Sequence, residues 1–516
     1  MKRARRLLLV LLTVLAGVVA TGCGSGSSSG GEHDPAALVP ATAPLYAEAT
    51  VRPEGKLRDD VEAALRKVLR TDDPAGKIEK AIDSSGKDDG LTFKDDVDPW
   101  LGDRVGVALT SLNGDKADFV AVIDSKNDAK AQEALKKTKG DIVQRSYEGV
   151  DYRYDRKERT AAGVFGNAVV VGTEPGFRSA VDASKGESLA DSNDLRAVRS
   201  KVAADRIGLF YLDAQGLLRT IGQAASSSPE MGAALQSLTA AAPKTIGAAL
   251  QAQADLLRID GVSLGTPKSA STGASGADVV AGLPGDSWLA LGIGRSGELL
   301  DRTLDTIGGS GGITGVGVQA LLHQFQQQTG LDLRRDVLSW MGDAGLFVTG
   351  TTSADLGGAL VVKTSDPAKT RRVIAVVRRL VGRDRDAKLS PLDVKGVDDG
   401  FTVRTGSAPP IAVGLAGDRF VVSVGSLDAF KKAVAPAQPL SATPAFTQAA
   451  TKLGDGLRPA FYLDFQHVVS LIGALAGSSP DFAKAKPYLD TFGAVVAGAK
   501  DEGDGVTRAR FVVTLR

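Results

Sequence analysis

Phe210-Tyr211-Leu212-Asp213 recurs 251 residues further on as Phe461-Tyr462-Leu463-Asp464. The same offset carries Gln215 to Gln466, Ile221-Gly222 to Ile472-Gly473, and Ser228-Pro229 to Ser479-Pro480. Upstream it carries Gly166-Asn167 to Gly417-Asp418 and Leu189 to Leu440. Nearer the start of each half the offset becomes 240. There Trp100-Leu101-Gly102-Asp103 aligns with Trp340-Met341-Gly342-Asp343, and Leu91 and Val97 align with Leu331 and Val337. Between these blocks, Asp128-Ala129-Lys130 faces Asp366-Pro367-Ala368-Lys369. The blocks keep one order, and the offset changes only in Gly-rich or charged stretches, where loops vary in length. So long a period indicates a duplicated domain, not a stack of short repeats. The boundaries that follow are repeat 1 at 35–265, a linker at 266–282, and repeat 2 at 283–516.

Each repeat carries one pattern of elements. A strand comes first (45–51; 288–293), followed by helical stretches (57–69; 299–307 and 316–328). A short helix ends at Trp100 or Trp340, with Gly102 or Gly342 as its stop signal. Two strands follow (104–110 and 119–123; 344–349 and 359–362), then a helix rich in Lys, Arg and Ala. Short strands with Gly/Asp turns come next, such as 168–172 and 419–424. The Phe-Tyr-Leu strand leads into another helix, and a strand pair closes the repeat, with 500–505 as the turn of the last hairpin. Consecutive strands joined by short turns predict antiparallel pairing. The expected fold class is therefore α+β: two homologous repeats, each a mostly antiparallel sheet with helices packed on one face.

Ahead of the repeats, Lys2, Arg3, Arg5 and Arg6 precede an apolar run from Leu7 to Ala20. As a helix that run would span roughly 21 Å at about 1.5 Å per residue, short of the ~30 Å hydrocarbon core. A basic start and a short apolar run form the layout of a secretory signal, expected at 1–22. Ala20-Thr21-Gly22 then lead to Cys23, the only cysteine in the chain. These four residues resemble the lipobox of bacterial lipoproteins, in which such a thiol takes a diacylglycerol; Ala20 stands where Leu is commonest. An extracellular chain with one unpaired thiol is unusual, and a lipid on Cys23 resolves the oddity. The Gly/Ser-rich stretch 23–34 reads as a flexible tether. The expected location is the extracytoplasmic face of the cell membrane, anchored through two acyl chains.

The 62 Lys and Arg nearly balance the 61 Asp and Glu. Without a basic excess, nucleic acid is not an expected partner. The chain as a whole resembles a family of lipoproteins from high-GC Gram-positive (actinobacterial) bacteria, classed as a domain of unknown function. The resemblance rests on the lipobox, the Trp100–Asp103 block, the Asp-Ala-Lys start at Asp128 and the Phe-Tyr-Leu-Asp blocks. It implies an envelope location and transfers no functional residue.

The tempting chemical motifs read as structure. Gly292-Ile293-Gly294-Arg295-Ser296-Gly297 has the spelling of a dinucleotide-binding turn, but the matching stretch of repeat 1 lacks the glycines. Gly261-Val262-Ser263-Leu264-Gly265 has the spelling of a nucleophile elbow, yet it lies in a closing strand and not at a strand-to-helix apex. His33, His323 and His467 are too few and scattered for a zinc site, and acid pairs such as Asp95-Asp96 are expected to be solvated. No cofactor and no enzymatic activity are expected. Asp213 and Asp464, each between a strand and a helix, read as helix caps, with a ligand group as the alternative. Trp100 and Trp340 read as core, with a ligand or partner platform as the alternative. The expected function is non-enzymatic binding of an apolar ligand or lipid near the membrane; the alternative is an envelope scaffold binding another envelope protein. A pocket of several hundred Å³ would favour the first, a flat apolar patch the second.

Overall fold

The computed structural model describes residues 33–86, 92–113, 116–224, 235–236, 238–267, 276–308, 313–352, 355–476 and 479–516. The signal, Ala20, Thr21, Gly22 and Cys23 lie outside these residues. Apart from its last two residues, the chain forms two compact units. Unit 1 holds the residues up to Ser227 and Ala242–Thr266; unit 2 holds Ser228–Ala241 and Pro267–Thr514.

The strands of unit 1 are β1 (Leu45–Thr50), β2 (Leu101–Asn113), β3 (Lys116–Ser125), β4 (Ile142–Tyr147), β5 (Val150–Asp155), β6 (Thr160–Phe165), β7 (Ala168–Thr173), β8 (Gly208–Asp213), β9 (Thr245–Gln253) and β10 (Leu256–Leu264). They pair in the order β10-β9-β8-β1-β2-β3-β7-β6-β5-β4, antiparallel throughout. Unit 2 contributes β11 (Leu289–Ile293), β12 (Met341–Thr349), β13 (Gly357–Thr364), β14 (Ala387–Pro391), β15 (Asp399–Thr405), β16 (Ile411–Ala416), β17 (Arg419–Gly425), β18 (Phe461–Asp464), β19 (Phe492–Gly503) and β20 (Val506–Leu515). Their order is β20-β19-β18-β11-β12-β13-β17-β16-β15-β14. The fold is α+β with antiparallel sheets. The tight turns are the kind whose twist matches that of paired strands. Glu148-Gly149, Gly166-Asn167 and Asp504-Gly505 each place two successive residues at positive φ.

In one detail the fold differs from expectation: helices cover both faces of the sheet, not one. In unit 1 the helix Asp128–Lys137 packs Ala131 with Trp100, Val105 and Val169 on one face. The helix Glu174–Ala183 buries Phe177 on the other, where the ring lies against Gly163. In unit 2 the helix Pro367–Val381 lays Ile374 over Phe401, Val413 and Leu415, and the helix Leu427–Val434 places Phe430 on the opposite face, against Gly414. The reason is in the strands. Val169-Val170 and Phe420-Val421-Val422 are apolar on successive residues, so both faces must be covered.

The expected stop glycines also have another place. Gly102 and Gly342 lie inside β2 and β12, at register breaks between Leu101 and Val105 and between Met341 and Ala344. A side chain on Gly102 would run into the Asp124 carboxylate. Gly292 and Gly297 serve close packing as well. A Cβ on Gly292 would lie 1.9 Å from the Gly276 carbonyl oxygen, and one on Gly297 2.1 Å from that of Leu338. Ser263 is the penultimate residue of β10, opposite Ile246, its hydroxyl 3.1 Å from that of Thr266.

Candidate functional site

The two tryptophans are core residues. Trp100 is 7% exposed and Trp340 2% exposed. Each indole Nε1–H donates to a carbonyl four residues earlier, that of Asp96 at 2.6 Å and that of Asp336 at 3.0 Å. Trp340 meets Phe420 edge to face at 5.5 Å, the arrangement ring quadrupoles favour.

Those carbonyls belong to two acids the sequence reading passed over. Asp96 was expected to be solvated with its neighbour Asp95; both it and Asp336 are buried. The carboxylate of Asp96 accepts from the Thr92 backbone N–H, and that of Asp336 from the Asp332 N–H, each at 2.8 Å. A hydrogen bond from Lys137 and that backbone N–H hold Asp96 below the usual carboxylate range. Arg335 does the same for Asp336, pulling it down to about 2. The signal was present: Asp96 and Asp336 share the offset of their tryptophans.

Asp213 and Asp464 stand where strand gives way to helix. Asp213 Oδ1 accepts from the Gly216 backbone N–H at 2.8 Å, and Asp464 Oδ1 from that of Gln466 at 3.1 Å. Asp464 Oδ2 lies 2.9 Å from His467 Nδ1. The following glutamines make a shared tie. Gln215 Nε2 donates to the Ala242 carbonyl at 3.0 Å, and Gln466 Nε2 to that of Phe492 at 2.6 Å. In each unit this pins the start of the helix to the entry of the next strand. The matched residues thus cap and pack, and neither pair lines a cavity described in either unit.

Two polar networks rigidify unit 1. Glu174 accepts from Tyr152, Arg145 and Arg178, each within 2.8 Å. Burial alone would push its carboxyl up; those donors bring it down to about 2. Arg199 bridges Asp34 and the buried Glu48, which also accepts from Tyr46. Asp34, at the end of the expected tether, is thereby fixed to the sheet.

The largest described cavity lies in unit 2. It is an open groove of about 950 Å³ on the face of the sheet that carries Trp340. Its floor is a cross-strand row: Leu346 pairs with Leu360, Leu360 with Val422, and Val348 and Gly358 lead to Val424. Leu356 and the Pro409-Pro410 stretch also line it. Among the described residues that line it, Ser407 and Ser426 carry the only polar side chains and none is ionisable. The floor is wet: Leu346 is 39% exposed and Val424 49%. Toward the other end of the same face, Trp340, Ala344 and Val362 are sealed by Leu331, Val373 and Val376. The groove is thus the uncovered continuation of the core. Among the described residues no group of three His, Cys, Asp or Glu is placed to hold a metal, and no helix is long and apolar enough to cross a membrane.

The family described as protein of unknown function (DUF3352) matches residues 6–515. The chain belongs to that family. No curated protein matches this DUF3352 chain. Among solved structures it is similar to crystal form IV of TP0453, at 9% identity and a TM-score of 0.26 over 45% of this chain and 80% of that one. Crystal form III of TP0453 gives 11% and 0.27 over 46% and 83%. Crystal form I gives 9% and 0.16 over 78% and 97%.

Proposed function

We propose that this DUF3352 chain is a lipoprotein anchored through Cys23 on the extracytoplasmic face of an actinobacterial membrane, where it binds an apolar ligand without acting on it. The observation that carries the binding role is the groove of about 950 Å³, floored by aliphatic side chains and with no ionisable residue among those described as lining it. Ligand pockets run about 300–1,000 Å³ and are lined mainly by apolar groups with a few polar ones. A large aliphatic surface left in water is costly, at about 25 cal/mol per Å², and its retention argues for an occupant. The anchor is supported by the basic start, the apolar run and the lone cysteine. The duplication is supported by the offsets of 251 and 240 and by a strand order that reads the same in both units.

The test is extraction of the native protein from its own membranes, followed by mass spectrometry of what leaves it on denaturation. A stoichiometric apolar molecule, beyond the lipid on Cys23, is the expected result. Protein that binds no apolar molecule, native or added, would sink the binding role.

A further inference from the structure

We infer that the groove of unit 2 is a seat for one hydrocarbon chain, held by its methylenes, with whatever head group it carries left in water. The inference rests on the apolar-ligand reading and names its ligand class. Three observations lead to it. First, none of the described lining residues is ionisable, so none of them could neutralise a phosphate, carboxylate or ammonium; burying an unpaired charge is prohibitive. Second, the floor is formed by β12, β13 and β17, each hydrogen-bonded to a strand on both sides. No free sheet edge borders it, so a peptide could not add as a strand. A peptide laid across the floor would leave its own N–H and C=O groups facing Leu346, Leu360 and Val422, at a cost that a hydrocarbon does not incur. Third, the exposed floor is aliphatic, with Leu346 39% and Val424 49% exposed, a surface that methylenes can cover without any hydrogen bond being lost.

One position in the groove differs sharply between the two sheets. In unit 1 the first pair past the register break is Val105–Ile123, and four residues along it is Leu109–Phe119. In unit 2 the first pair is Ala344–Val362, and four residues along it is Val348–Gly358. Gly358 therefore stands where the other sheet carries a phenyl ring, and the space of that ring is part of the groove. A Cβ on Gly358 would also lie 2.6 Å from the Phe347 carbonyl oxygen, so substitution there disturbs the strands. Val424, across from Gly358 and half exposed, is the better probe.

The experiment uses the full mature chain from Gly24 onward, which keeps both units, and displacement of a fluorescent fatty acid by n-alkyl ligands. Two series are run: chains of increasing length on one neutral head, and one chain on neutral, anionic and cationic heads. The proposal expects affinity to rise about fourfold per methylene until the groove is filled, with little effect of head charge. Val424→Glu and Leu346→Glu should lower affinity at least tenfold with unchanged circular dichroism, and Val424→Leu should retain it. Leu321→Glu, at a 64% exposed site on the helix Ile313–Thr329, should bind as the parent. Failure of every apolar probe to bind would remove the apolar-ligand reading and this inference together. Binding that ignores both groove variants, or that follows head charge and not chain length, would overturn the inference alone. So would a dimer that Val424→Glu dissociates, which would make the groove an interface between copies.

Discussion

Replacing Trp340 separates a core role from a platform role. The indole is 2% exposed, meets Phe420 edge to face and donates to the Asp336 carbonyl. Trp340→Ala removes a large buried side chain and leaves a cavity, which costs about 3–5 kcal/mol. Part of that is the ring pair, about 0.5–1.5 kcal/mol. Trp340→Phe keeps a ring but loses the donor, and the expected loss is about 1–3 kcal/mol. For a unit of this size each kcal/mol shifts the melting temperature by about 2–4 °C, so Trp340→Ala should melt roughly 6–20 °C lower. The assay is thermal and urea unfolding followed by far-ultraviolet circular dichroism, which does not depend on the tryptophan signal. Unit 2 should unfold early while unit 1 keeps its own transition. A midpoint for Trp340→Ala equal to the parent's, within about 0.5 kcal/mol, would refute the core assignment and return Trp340 to the surface.

Three further outcomes follow from the same geometry. Glu174 is held at about 2 in the fold against an ordinary 4.5. Its contribution is therefore complete above about pH 4.5 and fades as pH falls toward 2, so Glu174→Gln should flatten acid unfolding in that window. Asp124 is the opposite case: burial pushes its carboxyl up, with the Asp103 N–H as a partial counterweight. A raised acid costs the fold stability as pH climbs from the ordinary 3.8 toward its folded value, and in full above it, so Asp124→Asn should stabilise the protein more at pH 8 than below pH 3.8, by the same urea assay. Cys23→Ala should leave the protein unprocessed or release it to the medium, as read by membrane fractionation; a processed, membrane-bound variant would disprove the lipid anchor.

Much of the fold was legible in the sequence because turn chemistry and apolar runs are local signals. Gly166-Asn167 and the Asp504-Gly505 pair announce hairpins, and the strand runs around Phe119 and Phe420 are continuous. The two-sided cover was harder to read, because Val169-Val170 gives no alternation to mark an inner face. Gly102 and Gly342 were misplaced for a related reason. A glycine after a tryptophan reads as a helix stop, but the need for it comes from Asp124 and Lys363, on a strand distant in sequence. Asp213, Asp464 and the tryptophans were visible as matched residues, whereas buried Asp96 looked like any surface acid pair. The groove was not legible at all. It arises from Leu346, Leu360, Val422 and Val424, four unremarkable aliphatics on three strands, and from a glycine where the other sheet has Phe119.

The most direct test of the account is where a hydrocarbon chain sits. A fatty acid carrying a diazirine near its terminal methyl, photolysed with the full mature chain and mapped by peptide mass spectrometry, reports this position. Label is expected to concentrate in Leu346–Val348, Leu356–Leu360 and Val422–Ser426 and to be abolished by Val424→Glu. Label confined to other segments, or unchanged in that variant, would contradict it.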